Sequence, residues 1–137
     1  MNLDNKLSQN DPSKEKIKFI LELFNSNKLA DAENEIKTQL GRFPKSSVLL
    51  NIRGAVLAKQ NKLKEALLNY SESIKINPNY AQAYNNLGVC LYKLEKINEA
   101  IKNYEKAIEI QPNNAESHNN LGVAFKDLGK SEKAIRC

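Results

Sequence analysis

Residues 81–114 read AQAYNNLGVCLYKLEKINEAIKNYEKAIEIQPNN, and residues 47–80 before them read SVLLNIRGAVLAKQNKLKEALLNYSESIKINPNY. Set against each other without a gap, the two 34-residue stretches agree at 13 positions, among them Asn51/Asn85, Gly54/Gly88, Leu57/Leu91, Ala66/Ala100, Tyr70/Tyr104 and Pro78/Pro112. Residues 115–137 keep the register and match ten of their 23 positions to the preceding stretch. Pro44, Pro78 and Pro112 stand 34 residues apart, so the period also reaches back into 13–46. A fixed period of this length is the mark of one supersecondary unit used repeatedly.

Within residues 81–114 the apolar side chains recur at helical spacing: Tyr84, Leu87, Leu91 and Leu94, then Ile97, Ala100, Ile101, Tyr104 and Ile108. The unit is therefore two amphipathic helices joined by the short polar connection Glu95–Lys96. Asn77-Pro78-Asn79 and Gln111-Pro112-Asn113-Asn114 end one hairpin and begin the next, because proline cannot continue the helix before it. Gly88 and Ala100 are small enough for the two helices to approach closely. Residues 13–46 are a divergent version, with Ile20 where the close-approach glycine belongs. Asp11-Pro12 predicts a helix start with the carboxylate as cap and the proline in the first helical position, after a loose segment 1–10. In the last unit the second helix has only Ser131–Cys137, about two turns.

Composition agrees with a folded, all-α chain. Of 137 residues, 41% are apolar and 27% charged, and five Gly with four Pro are too few for a sheet built on tight turns. No apolar run approaches a membrane span and the start lacks a secretory signal, so the chain reads as cytoplasmic. Cys90 and Cys137 have neither disulfide nor zinc-ligand spacing, Cys90 being expected buried and inert. The net charge of +5 suggests nucleic acid, but only three residues are Arg and most of the excess lies in 47–80 on different helix faces, which disfavours that partner.

These residues resemble the tetratricopeptide repeat (TPR) family: Tyr84, Leu87, Gly88, Leu91, Ala100, Tyr104, Ala107 and Pro112 in one unit, with Leu50, Gly54, Leu57, Ala66, Tyr70 and Pro78 in the unit before and His118, Leu121, Gly122, Phe125 and Ala134 in the last. The resemblance implies a right-handed solenoid of antiparallel helix hairpins with about three and a half repeats: a flexible segment 1–12, a divergent repeat 13–46, repeats 47–80 and 81–114, and a truncated repeat 115–137. It also implies a non-catalytic module that binds an extended peptide or a partner helix in a concave groove lined by the first helix of each hairpin. Mapping the family's groove positions onto this chain names Asn51, Lys59, Gln82, Asn85, Asn86, Val89, Tyr92, Lys93, Asn119, Asn120, Val123 and Lys126 as the candidate site.

Asparagine recurs among them, and an amide can both donate to and accept from a peptide backbone regardless of its side chains. The pattern is similar to the asparagine ladder of O-linked N-acetylglucosamine transferases, with Asn86 and Asn120 at the matching position and Ile52 and Lys18 departing from it. Lys59 and Lys93 share one groove position, which suits acidic peptides. The carboxylate clamp of the family is disfavoured, since its positions hold Asn51, Ala55, Asn86, Glu116 and Asn120 with no cation. No metal, cofactor or catalytic group is indicated: His118, Tyr70 and Tyr104 occupy bulky packing positions of the pattern. A second reading makes the chain the recognition arm of a larger glycosyltransferase or sulfotransferase. The face bearing Leu121, Phe125, Leu128, Ala134 and Ile135 is expected to be short of partners and to favour self-association.

Overall fold

A computed structural model describes residues 7–136, the last six as backbone only. All the regular structure among them is helical: α1 (Lys14–Asn25), α2 (Leu29–Arg42), α3 (Ser47–Lys59), α4 (Leu63–Ile76), α5 (Ala81–Lys93), α6 (Ile97–Ile110) and α7 (Ala115–Arg136). The fold is an all-α helical repeat. It divides into two compact units, α1–α4 and α5–α7, with the boundary between Pro78 and Asn79.

The turn inside each hairpin is one device used three times. Asn27, Asn61 and Glu95, spaced 34 residues apart, adopt left-handed φ values of 60°, 61° and 63°. The following N–H groups, of Lys28, Lys62 and Lys96, reach back 2.9 Å to the carbonyls of Leu23, Leu57 and Leu91. Carbonyls that a helix end would leave unpaired are thereby satisfied while the chain reverses. Asparagine tolerates this conformation; glutamate at 95 adopts it at a cost.

The helices of a hairpin close over a glycine. In the first unit a Cβ built on Gly54 would lie 2.5 Å from the Tyr70 ring, and in the second a Cβ on Gly88 would lie 2.5 Å from the Tyr104 ring. Both tyrosines are almost fully buried, beside Ala66 and Ala100, which are completely so. Ser73 on α4 donates 2.7 Å to the carbonyl of Ser47 at the start of α3, tying the end of one helix to the beginning of the other. Ile17, Ile20, Ala32, Ile36, Leu49 and Val56 complete the core of the first unit. Ala83, Leu87, Cys90, Leu91, Ile101 and Ala107 form that of the second, where α7 packs mainly on α6 through its buried Ala124.

Three expectations need correction. The last unit does not turn back at Gly129: α7 runs unbroken from Ala115 to Arg136, and Gly129 has no positive φ. A left-handed turn is repaid only when the next helix packs on the previous one. Asp11 does not cap α1. Ser13 is the cap, its hydroxyl accepting from Lys16 N at 3.2 Å, while Asp11 accepts from Ser8 N at 2.8 Å and from the Ser46 hydroxyl. Nor are residues 8–10 loose, since this Ser8–Asp11 turn is pinned through Ser46, which itself caps α3 by accepting from Leu49 N at 3.1 Å. Residues 1–6 and Cys137 lie outside the described residues.

Candidate functional site

On α5 the residues at 82, 86, 89 and 93 form one stripe on the side opposite Gly88, and therefore opposite α6. Gln82, Asn86 and Val89 are half-buried along it and Lys93 is exposed. Gln82 Nε2 donates 3.0 Å to Asn86 Oδ1 one turn later, so the two amides are oriented as a pair. α7 adds Asn119, Val123 and Lys126, all exposed, with Asn120 half-buried between the helices. The Asn120 amide donates 3.1 Å to Asn85 Oδ1, which also accepts from the Ser117 hydroxyl at 3.0 Å. Asn114 caps α7 by accepting from Ser117 N at 3.1 Å, fixing the turn that carries Ser117.

Two of the sequence candidates are not on the surface at all. Asn51 and Asn85 are fully enclosed. Asn85 serves as the acceptor between α5 and α7, and its Nδ2 has no partner among the described residues. The groove mapping missed this because a polar residue at helical spacing looks solvated until the neighbouring helix is placed over it.

Two more candidates are engaged with each other's repeat positions. The Tyr92 hydroxyl donates to Asp127 on α7. Two repeats earlier, at the equivalent pair, Lys59 Nζ sits 4.3 Å above the Phe24 ring and 3.5 Å from the Phe24 carbonyl. In both cases a residue near the end of one first helix meets, 35 positions on, the end of the next. Ser117 is thus a residue the candidate site lacked, its only sequence signal being its offset from Asn85, whereas Asp127 holds the groove position of Lys59 and Lys93.

The family profile described as TPR repeat matches residues 54–95 and 90–129, more than half of the chain. The chain belongs to the tetratricopeptide repeat family. Solved TPR structures are similar to it. The first TPR domain of human RPAP3 is 25% identical with a TM-score of 0.81, over 86% of this chain and 93% of that one. The first TPR of Spaghetti (RPAP3), bound to the HSP90 peptide SRMEEVD, is 24% identical with a TM-score of 0.79, over 89% and 99%. The Sgt2 TPR domain from Aspergillus fumigatus is 17% identical with a TM-score of 0.83, over 93% and 87%. No curated protein sequence matches significantly.

Within the second TPR unit the electrostatics are those of packing. Burial pushes the Tyr104 hydroxyl up to about 12, with Tyr92 and Glu116 adding to the rise. The hydrogen bond to Asp127, followed by partial desolvation, raises Tyr92. His118, expected to pack as a bulky ring, is instead exposed, its Nε2 donating 2.7 Å to the carbonyl of Pro112. Cys90 is buried as expected. Among the described residues no cluster of three His, Cys, Asp or Glu could hold a metal, and no helix is long and apolar enough to cross a membrane.

Proposed function

We propose that the chain is a protein–protein interaction module that takes an extended peptide along the stripe of α5 and α7 in its second unit. The observation that carries this is the pair of half-buried amides, Asn86 and Asn120, each oriented by a second amide, Gln82 and Asn85 respectively. Asn120 Nδ2 donates to the buried Asn85 while the residue itself stays half-exposed. A peptide in extended conformation offers alternating N–H and C=O groups to such amides, which makes recognition tolerant of sequence. Holding the amide rotamer in advance lowers the entropy lost on binding.

Acidic peptides are the favoured class, because Lys93 and Lys126 stand exposed on the same stripe with Lys96 and Lys130 close in sequence. Two of the similar TPR domains were solved with acidic peptides, SRMEEVD and SGPTIEEVD. In this chain the carboxylate would meet mobile lysines rather than a fixed clamp, since Glu116 and the buried Asn51 stand at two of the clamp positions. Binding of fluorescein-labelled SRMEEVD followed by anisotropy tests the reading, with a lysine-substituted peptide as control. The acidic peptide should bind more tightly, weaken with salt, and weaken about tenfold with Asn120→Ala. Equal affinity of wild type and Asn120→Ala would remove the amides from the site, and equal affinity for both peptides would remove the charge preference.

A further inference from the structure

Residues 8–11 and 43–46 form a pair of four-residue turns in the first unit. Asp11 N donates 3.0 Å to the Ser8 carbonyl, and Ser46 N donates 3.2 Å to the Phe43 carbonyl. The last residues of the two turns are joined to each other, the Ser46 hydroxyl donating to Asp11. The central residues, Gln9-Asn10 in one turn and Pro44-Lys45 in the other, are exposed and line a common cleft of about 280 Å³. Phe43 and Arg42, the last residue of α2, complete its lining.

The polar side chains of this cleft are uncommitted. The Gln9 and Asn10 amides, the Arg42 guanidinium and the Lys45 ammonium make no hydrogen bond or ion pair among the described residues. Asp11, the only acid of the two turns, does not line the cleft. It is 7% exposed and accepts from Ser8 N and from the hydroxyls of Ser8 and Ser46. The cleft thus offers two positive charges and two amides beside the half-buried Phe43 ring and Pro44. We propose that it binds a phosphorylated side chain of a partner protein. A carboxylate brings one charge and two oxygens, which a single guanidinium already matches bidentately. A phosphoryl group brings a charge of about −1.5 to −2 and three acceptor oxygens, so it engages Arg42 and Lys45 together and leaves an oxygen for an amide. Phe43 and Pro44 give the carbon stem a surface to lie on, which a free phosphate ion cannot use. The two joined turns hold these groups in place beforehand, which reduces the entropy lost on binding. The site is complete within the first unit and needs nothing from the amides of α5 and α7.

The test is a titration of isotope-labelled protein followed by its amide chemical shifts. The probes are a blocked alanine peptide carrying one phosphoserine, the same peptide with glutamate in that place, and inorganic phosphate. The phosphopeptide should move the signals of residues 9, 10, 42, 43 and 45 with a Kd of about 1 mM or lower. The other two probes should bind at least about tenfold more weakly. Arg42→Gln should weaken the phosphopeptide about tenfold and Lys45→Gln by less, with helical content unchanged because both side chains are exposed. Equal binding of the phosphoserine and glutamate peptides overturns the proposal, because charge alone would then suffice. Inorganic phosphate binding as tightly as the phosphopeptide overturns it too, since the cleft would then hold a free anion. So does an affinity indifferent to Arg42→Gln, or a set of shifts confined to α5 and α7. The SRMEEVD assay reads the second unit and these shifts read the first, so the two readings fail separately.

Discussion

Asn120 Nδ2 lies 3.1 Å from the Oδ1 of the fully buried Asn85, an amide-to-amide bond that joins α5 to α7 across 35 residues of sequence. Ser117 donates to the same oxygen, so one acceptor orders two donors of the neighbouring helix. Removing the acceptor leaves the Ser117 hydroxyl enclosed without a partner, whereas removing a donor leaves Asn85 one bond. Asn85→Ala should therefore cost about 2–3 kcal/mol, and Ser117→Ala about 1 kcal/mol. Asn120→Ala should cost less than about 1 kcal/mol, because its amide is half in solvent. Urea unfolding of the three variants checks the order, and a large loss for Asn120→Ala would make that residue structural.

One repeat position is expected to respond to an added side chain with opposite sign in two repeats. Gly88→Leu forces atoms into the Tyr104 ring and should destabilise by roughly 1–3 kcal/mol. Gly122→Ala, where the added carbon meets only open space, should stabilise α7 by about 0.5–1 kcal/mol. Thermal midpoints compared at low protein concentration decide this; equal midpoints for wild type and Gly88→Leu would refute the ring-on-glycine packing.

Glu95 is a non-glycine residue in the left-handed turn between α5 and α6. Glu95→Gly keeps the Lys96 N to Leu91 O bond of the turn and relieves the Cβ crowding, with part of the gain returned as chain entropy. The expected change is a stabilisation of about 0.5–1 kcal/mol. Gly at the helical position 41 of α2 offers the control, since Gly41→Ala should also stabilise, for the opposite reason. A destabilised Glu95→Gly variant would show that the carboxylate contributes something the turn geometry does not.

Burial raises Tyr104 from an ordinary 10 to about 12. The folded state therefore holds its proton more tightly than the unfolded chain, so this contribution to stability is complete below pH 10 and is lost as the pH rises from 10 to 12. Denaturant midpoints followed through that window should fall for the wild type and fall less for Tyr104→Phe. Absorbance at 295 nm should show one tyrosine ionising only as the protein unfolds; ionisation of every tyrosine near pH 10 in the folded chain would contradict the packing.

The sequence by itself determined the unit and its two faces. The 34-residue period, the recurrence of glycine at 54 and 88 and of tyrosine at 70 and 104, and the prolines between hairpins are local and repeated, so each copy corroborates the others. Even the left-handed turns are written at that period, in Asn27, Asn61 and Glu95, although Glu95 hid the third because its type gives no hint of φ. What only the tertiary structure decided is which polar residues face water. Asn85 and Asn86 are adjacent amides on one helix, indistinguishable by composition or spacing; α7 packing over one side encloses Asn85 and leaves Asn86 half-exposed. The same dependence on a neighbour explains α7. Its turn signal at Gly129 is as good as any in the chain, but a hairpin is stable only when its second helix can bury a face against the first, and there the helix runs on instead.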